Sequence, residues 1–280
     1  MSDYSAVERR MADELPQAPA YRALTRVFAS KVMLLSLCVA VLSTLVSGVN
    51  VFVSMYELFP LYQQSLYQSA NITNPAAYES LFKGIYYGVF IFAMLLSAGI
   101  ALLQFLPQAL LISRARRGRL LGRKPFTVLR TYCLVILVLT TVNLVLSLIM
   151  YAAIDANGLA LLTLALSVAC YGALVRYLGM QREIAMWGIA SKSVPYKPAA
   201  FLLAVQVLPS LATLLLTVLQ YVNPDYFKLY AYSSATAAEF LLQLVASLLA
   251  IFSTLLYTLT ILRAEKAAAA PAAPEQPELP

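Results

Sequence analysis

The chain has 280 residues, of which 61% are hydrophobic and only 12% charged, and its net charge is +7. Water-soluble domains carry about 45–50% apolar and about 25% charged residues, so in water this chain would expose apolar surface it could not hide. It contains no histidine, which excludes His-based acid–base catalysis, His metal ligands and haem with a His axial ligand.

The first 31 residues are polar and basic, with Arg9, Arg10, Arg22, Arg26 and Lys31. They read as a cytoplasmic N-terminal segment ahead of an apolar run that begins near Val32. A signal peptide would have a core of about 7–15 apolar residues and a small-residue cleavage site. Here the run continues to Phe52 without such a site, which predicts a retained span.

Crossing a hydrocarbon layer of about 30 Å takes about 20 apolar residues in a helix. Six stretches meet that length: Val32–Phe52, Gly84–Ile112, Thr131–Ala153, Gly158–Leu178, Ala199–Val222 and Phe240–Leu262. Lipid offers nothing to bond exposed backbone groups, so helices are required, and the alternation of barrel strands is absent. The expectation is an all-α, polytopic transmembrane bundle of six spans over residues 32–262. Pro60, Pro75, Pro107, Pro195, Pro198 and Pro224 fall near predicted helix ends. Pro209 lies midway along the fifth span and predicts a kink.

Orientation follows the basic residues. The connection after the second span holds Arg114, Arg116, Arg117, Arg119, Arg123, Lys124 and Arg130. Arg176, Arg182, Lys192 and Lys197 follow the fourth span, and Arg263 and Lys266 the sixth. With the N-terminal five they make 18 of the 20 Lys and Arg residues, leaving Lys83 and Lys228 for the opposite side. Both termini are therefore expected in the cytoplasm, and the multi-pass chain in a plasma (inner) membrane. Residues 263–280, ending in an Ala/Pro/Glu-rich stretch, read as a disordered tail.

On the outer side, Tyr56–Lys83 and Asn223–Glu239 form the larger connections and Asp155–Gly158 a tight turn. Tyr56, Tyr62, Tyr86, Tyr87, Tyr151, Tyr221, Tyr226, Tyr230 and Tyr232 ring that boundary, where amphipathic aromatic rings favour headgroup depth. Asn71-Ile72-Thr73 matches a glycosylation acceptor, relevant only in a eukaryotic secretory pathway.

Mild polar residues recur at steps of three and four inside the spans, which places them on single faces. The first span has Ser36, Ala40, Ser43, Ser47, Asn50, Ser54 and Glu57. The fifth has Gln206, Ser210, Thr213, Thr217 and Gln220, and the sixth Glu239, Gln243, Ser247, Ala250, Thr254 and Thr258. Shorter sets are Ser97, Ala101, Gln104 and Gln108; Thr140, Asn143 and Ser147; and Thr163, Ser167 and Cys170. Such faces should turn inward, where small and hydroxyl residues let helices approach and bond across a seam. The other reading is a path for a polar solute, with Ser47, Asn50, Gln206, Ser210, Thr213, Gln243 and Ser247 along it and carbonyls freed near Pro209.

No carboxylate or base lies at mid-membrane depth, where proton-coupled transport needs one. The cysteines Cys38, Cys133 and Cys170 sit in apolar runs as small hydrophobes, and no metal, cofactor or catalytic group is expected. The basic run Arg114, Arg116, Arg117, Arg119, Arg123 and Lys124 anchors topology and would attract anionic headgroups. It lacks interleaved aromatics, which argues against nucleic acid. Gly118 to Lys124 has three residues between its glycines and no Ser/Thr after the lysine, so it is not a phosphate-binding loop. Met180, Ile184 and Trp187 recur at helical spacing in Gly179–Pro198 and predict a short interfacial helix. A coupling helix for an ATPase fits poorly, since Glu183 and Gly188 are one residue too close.

From Phe28 to Arg117, about a third of the chain, the sequence resembles uncharacterised multi-span bacterial membrane proteins. The resemblance rests on Phe28-Ala29-Ser30-Lys31-Val32-Met33-Leu34-Leu35 before the first span. It also rests on Gly99–Leu106, Pro107 and Ser113-Arg114-Ala115-Arg116 at the end of the second. It implies a bacterial inner membrane and no particular activity. Two functions remain expected. One is a permease-like or transport-associated subunit for a small polar solute. The other is a non-transporting scaffold or regulatory subunit that packs on other membrane proteins or on a second copy.

Overall fold

A computed structural model describes residues 15–69, 75–154, 158–188, 198–222 and 237–269. After a 3-10 turn at Leu15–Gln17 come α1 (Pro19–Ala29), α2 (Lys31–Ser69), α3 (Pro75–Arg116), α4 (Arg123–Ile154), α5 (Gly158–Trp187), α6 (Pro198–Val222) and α7 (Ala237–Ala269). No strand occurs among the described residues. Five helices carry segments long and apolar enough to cross a membrane: Lys31–Gln68, Tyr78–Arg116, Arg123–Ile149, Leu161–Trp187 and Ala238–Arg263. The shorter apolar segment of α6 is Val207–Leu219. This is the build of a multi-pass membrane protein.

Each long helix packs on its chain neighbours, from α2 on α3 through to α6 on α7, and α7 returns to pack on α2. The six therefore close into a ring. Its tightest joints are α2 with α7 and α4 with α5, and its sparsest are the two that α3 makes. Because successive helices are antiparallel, the start of α2, the α3–α4 loop and the ends of α5 and α7 gather at one end. Among the described residues, that end holds the basic side chains of α1, of the α3–α4 loop and of the ends of α5 and α7, while Lys83 lies near the start of α3 at the other.

The core lies at this basic end. Leu111, Leu121 and Phe126 are fully buried there, with Phe28, Met33 and Ile184 almost so, and Phe28 meets Phe126 edge-on at 5.7 Å. Towards the other end the ring loosens. Leu95 through Ile100 of α3 are all exposed. Six consecutive residues cover every face of a helix with 3.6 residues per turn, so α3 stands clear of its neighbours at that level.

The N-terminal segment contains more than topology signals. Tyr21, Leu24, Val27 and Phe28 recur at helical steps, and α1 buries all four against α3, α5 and α7. It lies across the basic end of the ring. Ser30 separates α1 from α2 with an extended backbone, ψ 145°. Its Oγ accepts from Met33 N at 3.0 Å, an N-cap for α2, while its N–H donates to Val27 O at 3.3 Å. One residue thus ends one helix and starts the next.

The helices also outrun the spans expected from hydropathy. With 39 and 42 residues, α2 and α3 are about 58 and 63 Å long at 1.5 Å per residue, about twice the hydrocarbon thickness. Pro60 and Pro107 sit inside them rather than at their ends, whereas Pro75 and Pro198 open helices as expected, and Pro209 lies within a continuous α6. Beyond the apolar stretch, α2 and α3 form an aromatic zipper. Phe59 packs on Tyr86 and Tyr87 at 5.0 and 5.6 Å, and Tyr67 on Phe82 at 5.5 Å. The Tyr86 hydroxyl donates to Met55 O at 2.7 Å. Several of the expected belt tyrosines therefore bind one another. Tyr226, Tyr230, Tyr232, Asn71 and the Asp155 turn lie outside the described residues.

Two further expectations are revised. The separate interfacial helix after Gly179 is instead the last two turns of α5, which runs unbroken to Trp187. It ends at Gly188, whose φ is +69° and whose N–H donates to Ile184 O at 2.9 Å. At the C-terminus α7 remains helical to Ala269, so residues 263–269 of the expected tail belong to it.

Candidate polar cavity

Ser36, Ser43 and Asn50 recur every seven residues, and α7 answers each in antiparallel order. The Ser36 hydroxyl donates to Ser253 O at 2.9 Å, and the Ser253 hydroxyl returns a bond to Ser36 O at 2.9 Å. The Ser43 hydroxyl donates to Ala246 O at 2.8 Å. The Asn50 amide donates to Gln243 Oε1 at 3.1 Å. From Ser36 to Asn50 the α2 stripe thus packs on α7, with Ser247 buried beside it and Ser47 half-buried.

Inside the ring, towards the basic end, lies a cavity of about 310 Å³. All seven helices contribute to its wall. Phe28 comes from α1; Met33, Ser36 and Ala40 from α2; and Gln104, Phe105 and Gln108 from α3. Leu129, Tyr132 and Cys133 come from α4, and Ser167, Cys170, Tyr171, Leu174, Leu178 and Gln181 from α5. Pro209 and Ser210 of α6 and Ser253, Thr254 and Tyr257 of α7 complete it. None of these residues is charged. Phe28, Met33 and Leu178 are buried residues of the core at the basic end, so the cavity borders that core.

Gln181 stands apart. It is fully buried, yet neither Nε2 nor Oε1 has a hydrogen-bond partner. Burying an amide without a partner costs about 1–3 kcal/mol by protein mutational data. Several other polar groups of the wall are engaged. Tyr132 donates to Gln104 Oε1 at 3.0 Å. Ser167 and Thr254 turn their protons to the carbonyls of Thr163 and Ala250 at 2.8 and 2.9 Å.

The residues singled out in the sequence divide three ways. Ser36, Gln104, Gln108, Ser167, Cys170, Ser210 and Thr254 line the cavity. Asn50, Gln243 and Ser247 belong to the α2–α7 seam, while Thr213 bonds back to Pro209 O at 2.9 Å. The Gln206 side chain lies outside the described residues. Ser97 and Asn143 are exposed, so those two positions do not turn inward. Sequence reasoning missed Gln181, although Ser167, Cys170, Tyr171, Leu174, Leu178 and Gln181 continue one stripe at steps of one, three and four.

At the basic end, Arg117, Arg119, Arg123 and Lys124 are exposed. Arg114 is not a free surface charge. Its Nη1 donates to Leu121 O at 3.0 Å, its carbonyl accepts from Arg119 N at 2.9 Å, and a Cβ on Gly122 (φ +69°) would lie 2.9 Å from that Nη1. Arg116 remains exposed but reaches Ala29 O at 3.4 Å. These contacts bind the α3–α4 loop to itself and to α1.

Searches of protein-family models, of curated proteins and of solved structures returned no match.

Proposed function

We propose that the chain is a permease-like membrane subunit for a small polar solute, with six spans and the basic end in the cytoplasm. The observation that carries this reading is the uncharged, hydrogen-bonding cavity within the ring, with Gln181 buried in its wall and unpaired. In the α2–α7 seam the Ser36 and Ser43 hydroxyls and the Asn50 amide nitrogen are paired across two helices and only Asn50 Oδ1 is left over, whereas both polar atoms of Gln181 are unpaired. An orphaned amide beside open volume suits a group that binds something else. The 25 residues of α6 give it about 37 Å at 1.5 Å per residue, enough to cross the bilayer and bring the count to six. The exposed arginines of the α3–α4 loop suit anionic headgroups of the cytoplasmic leaflet, and a bacterial inner membrane is the location implied by the resemblance.

The second reading, a scaffold packing on other membrane proteins or on itself, is favoured by the α2–α7 seam and by the exposed stretch Leu95 to Ile100 of α3, which none of the described helices covers. Proteoliposome swelling in glycerol, erythritol and glucose separates the two. Under the permease reading the wild-type protein speeds swelling in at least one of them, and Ser210→Leu abolishes that flux while folding is retained. No flux with any of them, or a variant that only lowers expression, favours the scaffold.

A further inference from the structure

We propose that the cavity is a binding site for an uncharged, hydroxyl-rich molecule up to about the size of a monosaccharide, anchored on the Gln181 amide. The proposal rests on reading the cavity as a solute site. The chemical class follows from what the wall offers. Gln181 presents two donors and an acceptor with no protein partner. Gln104 has its oxygen occupied by Tyr132, which leaves its amide hydrogens to donate. Ser167 and Thr254 have given their protons to their own helices, so their oxygens remain as acceptors. Donors and acceptors therefore stand side by side, and a hydroxyl group, which is both, matches such a lining.

Charge is excluded by the same wall. None of its described residues is ionic, and an ion stripped of water without a counter-charge is far costlier to bury than a neutral hydroxyl. The volume of about 310 Å³ leaves room for a molecule of monosaccharide size. The tyrosine rings in the wall, Tyr171 among them, supply apolar faces for the C–H edges of such a molecule.

Two native thiols report on occupancy. Cys133 and Cys170 line the cavity, while Cys38 is exposed on α2 outside it. The experiment follows N-ethylmaleimide modification of each cysteine by peptide mass spectrometry, on the full-length protein in nanodiscs. Probes are glycerol, erythritol, glucose and myo-inositol, with choline and inorganic phosphate as charged controls. At least one neutral probe should slow modification of Cys133 and Cys170 fivefold or more and leave Cys38 unchanged. Gln181→Leu, which removes an unpartnered amide and should keep the fold, should abolish this protection, and Gln108→Leu should weaken it at least threefold.

The site is overturned if no neutral probe protects the wild-type protein. It is equally overturned if protection survives both substitutions, or if choline or phosphate protects as well. Protection without flux in proteoliposomes leaves the site standing and removes the permease reading. Flux without protection removes the site alone.

Discussion

Asn50 and Gln243 meet side chain to side chain across α2 and α7, at 3.1 Å, on the helix pair with the most extensive packing in the ring. The contact continues the Ser36–Ser253 and Ser43–Ala246 bonds at the same seven-residue step. The pair therefore acts as part of a joint that closes the ring. Interhelical hydrogen bonds of this kind average about 0.6 kcal/mol and reach about 1.7 in membrane proteins. Asn50→Ala and Gln243→Ala should each destabilise by about that much, and the double variant should cost less than the sum of the two. Reversible unfolding in mixed micelles, read as a double-mutant cycle, measures this coupling. Additive costs would mean that the two side chains do not hold the joint.

A different bond ties α1 into the fold. The Tyr21 hydroxyl accepts from the buried Leu121 N–H at 2.9 Å, joining the N-terminal helix to a loop 100 residues away. Tyr21→Phe keeps the ring but strands that N–H, at about 1–3 kcal/mol. The loop carrying Arg117 and Arg119 should then open more often. Trypsin should cut there several-fold faster in nanodiscs than in the wild-type protein, with the spans still intact. An unchanged cutting rate would show that the hydroxyl does not restrain the loop.

Much of this architecture was legible because lipid simplifies the code. The apolar runs marked the five helices long and apolar enough to cross a membrane, and the polar stripe that holds Ser36, Ser43 and Asn50 at steps of three and four marked a face that packs. Other parts depended on tertiary contacts. Charge counting hid α1, although Tyr21, Leu24, Val27 and Phe28 already had helical spacing. Hydropathy falls where α2 meets its glutamines and tyrosines, but the helix does not end there, because it pairs with an equally extended α3. Gln181 sat beyond the expected end of its span, and the unbroken course of α5 carries it there as an interior residue. Ser97 and Asn143 show the limit of the stripe argument, since a polar face turns inward only where a neighbour is close enough to receive it.

The turn at Gly188 gives a sharp contrast with a glycine inside a span. Its φ of +69° disfavours any side chain, and an added Cβ would lie 2.7 Å from the Cβ of Ala18. Left-handed backbone costs a non-glycine residue about 1–2 kcal/mol, and here the segment before α1 must also shift. Gly188→Ala should therefore cost about 2 kcal/mol or more. Gly99 lies in α3 with nothing within 4 Å of its would-be Cβ, so Gly99→Ala should be neutral or stabilise by up to about 1 kcal/mol. Thermal unfolding of the two variants side by side tests this. A Gly188→Ala protein as stable as Gly99→Ala would mean that α1 is not held against the end of α5.

The orientation of the ring can be read from two exposed positions at opposite ends. Arg119 lies in the α3–α4 loop and Tyr62 on the extension of α2 beyond its apolar stretch, and both side chains are exposed. The proposed alternation of six spans would put eighteen of the 20 lysines and arginines on the Arg119 side, and short connections rich in them stay in the cytoplasm. A membrane-impermeant maleimide added to intact cells should therefore modify a Tyr62→Cys protein. It should reach an Arg119→Cys protein only after the membrane is permeabilised. The native cysteines all lie within candidate spans, so the wild-type protein should give little background. Labelling of Arg119→Cys in intact cells would reverse the orientation. Labelling of both variants from outside would put the two positions on the same face and break the alternation of spans between them.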